Sequence, residues 1–285
     1  MTLNYPDRDL YHYTSLNTLL SIIENKTIRL TDYRFLNDTQ ELSFAINELR
    51  NVLKGIPADD YCKKISNALD DIENGNITIF PAIGKLNGVT CIAPQSVQAK
   101  YYVLSLSSQQ DSLPMWRMYA KTGCCIKFNN PKMMEFFHAF RDKYFADGLS
   151  NVVNESVIYG SSIPKDKEFI QWLLSSKNDM MLYEMLLHWC LLRKISSFAY
   201  EKEFRIAFPF EDKLLNEQEH KVFTIVDNVI KPQIELRNFM PNEVIEEIII
   251  SPYITSELTL LGIQELLSAH GINPHIVHPS KISIR

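Results

Sequence analysis

The chain reads as an α+β protein on three observations. Short strand-like runs recur at irregular spacing, helical stripes fall between only some of them, and no regular β-α-β alternation develops. Glycine is scarce, 9 of 285 residues, and none sits in a G-x-G-x-x-G or a G-x-x-x-x-G-K-[ST]. Neither of the common backbone cradles for phosphate is therefore signalled.

The opening DLYHYTSL predicts a strand at 10–14 and a helix from Ser15, with Leu16, Leu19, Leu20 and Ile23 on one stripe. A second short strand is expected at Thr27–Leu30. Asp38 and Glu41 stand three apart ahead of Leu42, Ala45, Ile46, Leu49 and Leu53, the pattern of a capping box that starts a helix. Residues 55–100 carry Gly75, Pro81, Gly84, Gly88 and Pro94 around an amphipathic stretch at Tyr61–Leu69, and suit a flexible insert or a surface excursion. KYYVLSLSS is expected as a buried strand, a short helix follows Ser112-Leu113-Pro114, and GCCIKF is the next strand.

The stretch 131–193 forms a helical subregion, with helices at 131–145, 166–175 and 179–193 and a strand near 151–159. EFRIAF at 203–208, KVFTIVDN, VIEEIIIS and PHIVH supply the remaining strands, and a helix over 256–269 ends at Gly271. One domain spanning 1–285 is expected, because this length with a 46% hydrophobic fraction can fill a single core.

A net charge of −5 argues against a protein that coats nucleic acid. Five cysteines without a C-x-x-C indicate neither a disulfide framework nor a zinc knuckle. No leader pattern and no long apolar run is present, so a cytoplasmic protein without a membrane span is expected.

Strand alternation supplies the candidate site. His12 and Thr14 share one face of the first strand; Ser105 and Ser107 share a face otherwise flanked by apolar residues; and Glu201, Glu203 and Arg205 oppose the apolar face of Phe204, Ile206 and Phe208. Inward hydroxyls and carboxylates need partners. If the three stretches line one cleft, it holds an imidazole, two hydroxyls and one or two carboxylates. H-E-x-x-H and G-x-S-x-G are both absent, so no metal site is called for and nucleophilic hydrolysis lacks its mark. What remains suits a polyhydroxylated ligand with a developing cationic centre, as a sugar nucleotide such as NAD would present.

YHYTSLNTLLSIIENKTIRLTDYRFLNDTQE, YVLSLSSQQDSLPMWRMYAKTGCCIKF and YEKEFR resemble a bacterial family catalogued as domain-of-unknown-function 2971, over nearly the whole chain. More distantly, the same residues resemble those of ADP-ribosyltransferases. That resemblance implies a split β-sandwich with helical insertions. It also implies an NAD-dependent mono-ADP-ribosyltransferase, a glycosyl-transferring enzyme, acting as a toxin or antiviral defence effector on a protein or nucleic-acid acceptor. In this picture His12 holds the adenosine ribose with Thr14 beside it, and Ser105 and Ser107 support the nicotinamide ribose. Tyr119 is among the aromatic rings that would stack on a base, Glu203 is the catalytic carboxylate, and Glu201 helps receive the acceptor. The chain joins the first-strand His of one transferase type to the Ser-x-Ser of another. Two other readings fit the same residues. One is a non-catalytic module that binds a nucleotide or a protein within a defence or regulatory system. The other is a metal-dependent nuclease using Asp38, Glu41 or Asp111 beside His12 and Glu203.

Overall fold

The computed structural model describes residues 8–36, 40–79, 82–86, 89–92, 95–144, 152–211, 220–226 and 228–284. The chain opens with β1 (Leu10–Ser15) and α1 (Leu16–Glu24). Ser15 ends the strand and caps the helix, its Oγ accepting from the Thr18 amide at 3.1 Å. β2 (Thr27–Asp32), a 3-10 turn (Tyr33–Phe35) and α2 (Glu41–Lys54) follow. The expected capping box loses one member to the residues outside the description, since Asp38 lies there. Its other member, Glu41, opens α2 with its carboxylate turned to Arg205.

The stretch between 55 and 100 holds α3 (Asp60–Asn74), β3 (Ile77–Ile79) and the paired strands β4 (Ala82–Leu86) and β5 (Val89–Ile92). The apolar stripe of α3, Tyr61, Ile65, Leu69 and Ile72, is buried. Next come β6 (Val97–Ser107), α4 (Leu113–Tyr119), β7 (Gly123–Phe128) and α5 (Asn130–Tyr144). β8 (Val153–Ser156), β9 (Ile158–Tyr159), α6 (Ile163–Ser176), α7 (Leu182–Leu191) and β10 (Arg193–Lys194) lead to a 3-10 turn at Ser196–Glu201. The chain then forms β11 (Glu203–Glu211), β12 (Lys221–Val226), β13 (Val229–Arg237), α8 (Pro241–Val244), β14 (Ile245–Ile250), α9 (Glu257–Ala269) and β15 (Val277–Pro279).

This is a mixed α and β structure around one large sheet, compatible with the α+β expectation. Among the described residues the sheet has 11 strands, in the order β12-β13-β2-β6-β1-β7-β14-β15, with β11 and β3 also on β6 and β8 on β11. Most pairs are antiparallel, and β15 joins β14 in parallel. β6 is the spine. One edge of β6 pairs with β11 from Glu203↔Ser107 to Glu211↔Ala99. Its other edge is shared by β3 at Val97–Ala99, β2 at Tyr102 and Val103, and β1 only at Ser107. Between Val103 and Ser107, β1 and β2 part from each other.

Alternation then sorts the core. Tyr102, Leu104 and Leu106 face Phe204, Ile206 and Phe208 within the largest apolar cluster, which α1 and α5 complete. On the opposite face, Ala99, Tyr101 and Val103 pack under α2, α3 and α7. Farther along that face a smaller cluster gathers Tyr11, Tyr13, Met115, Trp116 and Cys125. Between these two clusters the face turns polar, and the candidate site lies there. Among the described residues no helix is long and apolar enough to cross a membrane.

Candidate functional site

A cavity of about 450 Å³ opens where β1 and β2 diverge, within the usual size range of small-molecule sites. His12, Thr14, Ser105, Ser107, Tyr119, Glu201 and Glu203 all line it. They do not arrive from one face. Ser107 stands directly opposite both Tyr11 and Glu203, and Ser105 opposite Arg205, so these side chains share a face. His12 and Thr14 alternate with Tyr11 and Tyr13, stand opposite Ile126 and Cys124, and belong to the other face. They reach the cavity through the gap between the strands. Gly123 lets β7 close on β1 at this point, because a Cβ there would stand 1.9 Å from the Thr14 carbonyl oxygen.

The His12 ring lies with Nδ1 3.3 Å from the carbonyl oxygen of Ser105 and stacks toward Phe128 at 6.4 Å. A carbonyl only accepts, so Nδ1 carries the hydrogen and Nε2 keeps its lone pair. Burial pushes the imidazole down to about 4, against a weaker upward pull from the Ser105 carbonyl. His12 is therefore neutral at pH 7 and presents an acceptor.

The expectation that Glu201 and Glu203 stand on one strand face is corrected by the structure. Lys202 adopts a left-handed backbone with φ of 41°, which ends the 3-10 turn at Glu201 and lets β11 begin only at Glu203. Glu201 reaches the cavity from the turn, not by alternation. Its backbone carbonyl accepts from Ser107 Oγ at 2.6 Å, and Tyr119 donates its hydroxyl to Glu201 Oε1.

Two cations organise these acids: Arg205, which alternation sets on the face of Glu203, and Lys194, which is absent from the sequence-based candidates. Lys194 Nζ lies 2.6 Å from Glu201 Oε2, 3.1 Å from Glu203 Oε2 and 3.5 Å from Glu41 Oε2. Arg205 grips both oxygens of Glu203, Nε to Oε1 at 2.8 Å and Nη2 to Oε2 at 2.9 Å, and its Nη1 meets Glu41 and the Leu191 carbonyl. All five charged residues are at most 5% exposed. Such charges are costly to bury, and only mutual pairing makes them tolerable. The signal in the sequence was the pair Arg193-Lys194 embedded in the apolar run WCLLRKI, since cations in such a stretch require acidic partners.

Their ionisation follows from that arrangement. Burial alone would raise the Glu203 carboxyl, but Arg205 and Lys194, with help from the Ser105 hydroxyl, hold it down at about 2. For Glu201 burial prevails over Lys194 and Tyr119, and its carboxyl is shifted upward. Burial works against the Lys194 ammonium, yet the surrounding carboxylates keep it above its ordinary value. The Tyr119 phenol is pushed far up by burial and by Glu201. At neutral pH the cavity thus offers a fixed carboxylate at Glu203, a carboxyl of raised affinity for a proton at Glu201, and a neutral imidazole.

Ser105 and Ser107 differ. Ser107 is buried and bonded to the chain itself, donating to Glu201 O and accepting from Gln109 N at 3.0 Å. Ser105 is half-buried and sits beside the Glu203 carboxylate. On the far wall a hydrogen-bonded row, Thr224–Gln233–Thr31, runs from β12 to β2 at 3.0 Å per step. No three His, Cys, Asp or Glu side chains among the described residues are grouped to hold a metal ion. Asp111 is committed elsewhere, to Trp116 Nε1 at 2.8 Å, Ser280 Oγ at 2.5 Å and the Lys281 amide at 2.8 Å.

Residues 115–206 match the model of a family described as protein of unknown function (DUF2971). No curated protein and no solved structure matches the chain. The matched span contributes Tyr119, Lys194, Glu201, Glu203 and Arg205 to the cavity, while His12, Thr14, Ser105 and Ser107 lie outside it or at strands preceding it.

Proposed function

We propose that the cavity binds NAD and that the protein is an ADP-ribosyltransferase-like enzyme on a split-sheet scaffold. The observation that carries this reading is the meeting of His12, Ser105, Tyr119, Glu201 and Glu203, drawn from five separate segments, around one cavity at the divergence of β1 and β2. The donor set suits a nucleotide sugar. Neutral His12 can accept from a ribose hydroxyl through Nε2, Ser105 can donate, and Tyr119 offers a ring face beside the carboxylates.

Bound NAD would supply a glycosidic bond to a cationic ring, whose cleavage builds positive charge on the ribose. Glu203, ionised and fixed in a dry setting, answers charge that develops only as the bond between the ribose carbon and the ring nitrogen breaks. The bonding electrons leave with the ring as neutral nicotinamide. The acceptor's nucleophile bonds to the same carbon and gives up its proton. Glu201, whose affinity for a proton is raised, would take it in this reading. A role as toxin or defence effector belongs to this same proposal and depends on the acceptor.

One observation favours a binding module without turnover: both oxygens of Glu203 are already engaged by Arg205, so a ribose hydroxyl must share them. The two readings separate in one experiment. Wild-type protein incubated with NAD should release nicotinamide, and Glu203→Gln should release at least about a hundredfold less while still being stabilised by NAD. Stabilisation of both proteins with release from neither would leave the binding module and end the enzyme reading.

A further inference from the structure

We propose that Lys194 is a positioning residue: its ammonium, shared among Glu201, Glu203 and Glu41, fixes where the carboxylates of Glu201 and Glu203 present their charge to the cavity. This inference rests on the NAD-cleaving reading of the same cavity. Three observations carry it. Among the described residues Lys194 is the one group that touches all three acids, at 2.6, 3.1 and 3.5 Å. It is delivered by a two-residue strand, β10, which pairs in parallel with β9, and the Tyr159 hydroxyl from β9 accepts the Glu203 amide at 2.7 Å. Its ammonium also stands 4.8 Å from the Phe198 ring centroid, so the turn bearing Glu201 closes over it.

The geometry separates Lys194 from Arg205. Arg205 lies on the same strand as Glu203 and would follow it in any displacement of β11. Lys194 instead ties the Glu201 turn to β11 and to the first turn of α2, whereas Arg205 joins only β11 to Glu41 of α2 and to the Leu191 carbonyl. Removing it leaves three buried carboxylates against one guanidinium. Repulsion between Glu201 and Glu203 then has no cation between them, and the two acids must separate or take up a proton.

The groups that face Glu203 are Arg205 on its own strand, Lys194 from β10, Glu41 from α2, Glu201 from the 3-10 turn, Tyr119 from α4, Tyr159 from β9 and Ser105 from β6. Of these, only Lys194 and Arg205 are cations. Loss of Lys194 should therefore raise the pH at which Glu203 and Glu201 protonate, and loss of Glu41 should act in the opposite direction.

The test uses the full chain as wild type, Lys194→Met and Lys194→Arg, with the double variant Lys194→Met/Glu41→Gln as a second arm. The double variant keeps the cluster's charge balance and guards against a single variant that does not fold. Two readouts are taken: nicotinamide release from NAD as a function of pH, and titration of the glutamate side-chain carboxyls by carbon-13 NMR. Lys194→Met should lower kcat about a hundredfold at neutral pH with little change in KM, and should move the acidic limb of the profile to higher pH than in the wild type. Lys194→Arg should recover most of the rate, and the double variant should move the limb back toward lower pH. A folded Lys194→Met with wild-type kcat and unmoved carboxyl titrations overturns the proposal, and so does a folded double variant with wild-type kcat, because its charge balance is restored while the positioning ammonium is gone. Carboxyl titrations that shift as described in proteins that never release nicotinamide support the hold of Lys194 on its acids, and show that the NAD-cleaving reading is what failed.

Discussion

Ser107 and Glu201 are joined through main chain: the Ser107 hydroxyl donates to the Glu201 carbonyl at 2.6 Å and also receives the Gln109 amide at 3.0 Å. That hydroxyl fixes the height of the Glu201 turn over the end of β6. Ser107→Ala strands a buried carbonyl and a half-buried amide together, and should cost about 1–3 kcal/mol in unfolding free energy. Chemical denaturation measures it. A loss below half of the lower figure would show that the turn holds itself.

The acid–base cluster should respond very unequally to single and paired changes. Arg205→Met leaves Glu203 and Glu41 buried with one cation between them, and should destabilise the fold by about 3–5 kcal/mol. Arg205→Met combined with Glu203→Gln should recover a substantial part of that loss, because the uncompensated charge disappears with the partner. Additive losses in the denaturation midpoints would contradict the pairing.

His12 gives the stability a defined pH dependence. Its folded value, about 4, lies below the ordinary 6.5 because burial disfavours the charged ring. Between those two values the unfolded chain binds more protons. The contribution is therefore complete above pH 6.5 and is lost as pH falls toward 4, in total about 3 kcal/mol. His188, lowered to about 4 by the same cause, acts in the same direction. His12→Gln should flatten the decline over that interval relative to wild type, read from unfolding midpoints at stepped pH; superimposable curves would mean the ring is hydrated.

Tyr119 separates packing from chemistry. Tyr119→Phe keeps the ring and removes the hydroxyl that donates to Glu201. Thermal stability should change by no more than about 1 kcal/mol, while nicotinamide release should fall about tenfold as Glu201 loses its orienting donor. Unchanged release would remove Glu201 from the reaction.

Much of this was legible in the residues themselves. The Ser15 cap and the strand GCCIKF depend on neighbours a few positions away, and the structure reproduces them; of the stripe expected for α1, Leu19 and Ile23 are buried, whereas Leu20 is exposed and Ile22 takes its place in the core. The short helix expected after Ser112-Leu113-Pro114 is present, and its Trp116 is fully buried with its ring 5.0 Å from that of Tyr13. What failed was what depends on long-range partners. β13 carries Pro232 and reads poorly as a strand, yet it pairs with both β12 and β2. Glu201 was assigned to a strand because nothing local reveals that Lys202 takes a left-handed backbone. PHIVH read as a strand, but Pro274–Ile276 is a 3-10 turn and only Val277–Pro279 joins the sheet, leaving His275 and His278 on one surface groove. The convergence of His12 with Ser105 was expected from a shared face; it arises instead from the parting of two strands, which alternation cannot show.

The most direct test is a crystal structure of the full chain with a non-cleavable carbocyclic analogue of NAD. The ribose that bears nicotinamide should lie within hydrogen-bond distance of Glu203, with Tyr119 against the ring and His12 Nε2 accepting from the other ribose. An analogue bound away from the gap between β1 and β2, or excluded from it by side chains that stay as they are now, would contradict the assignment.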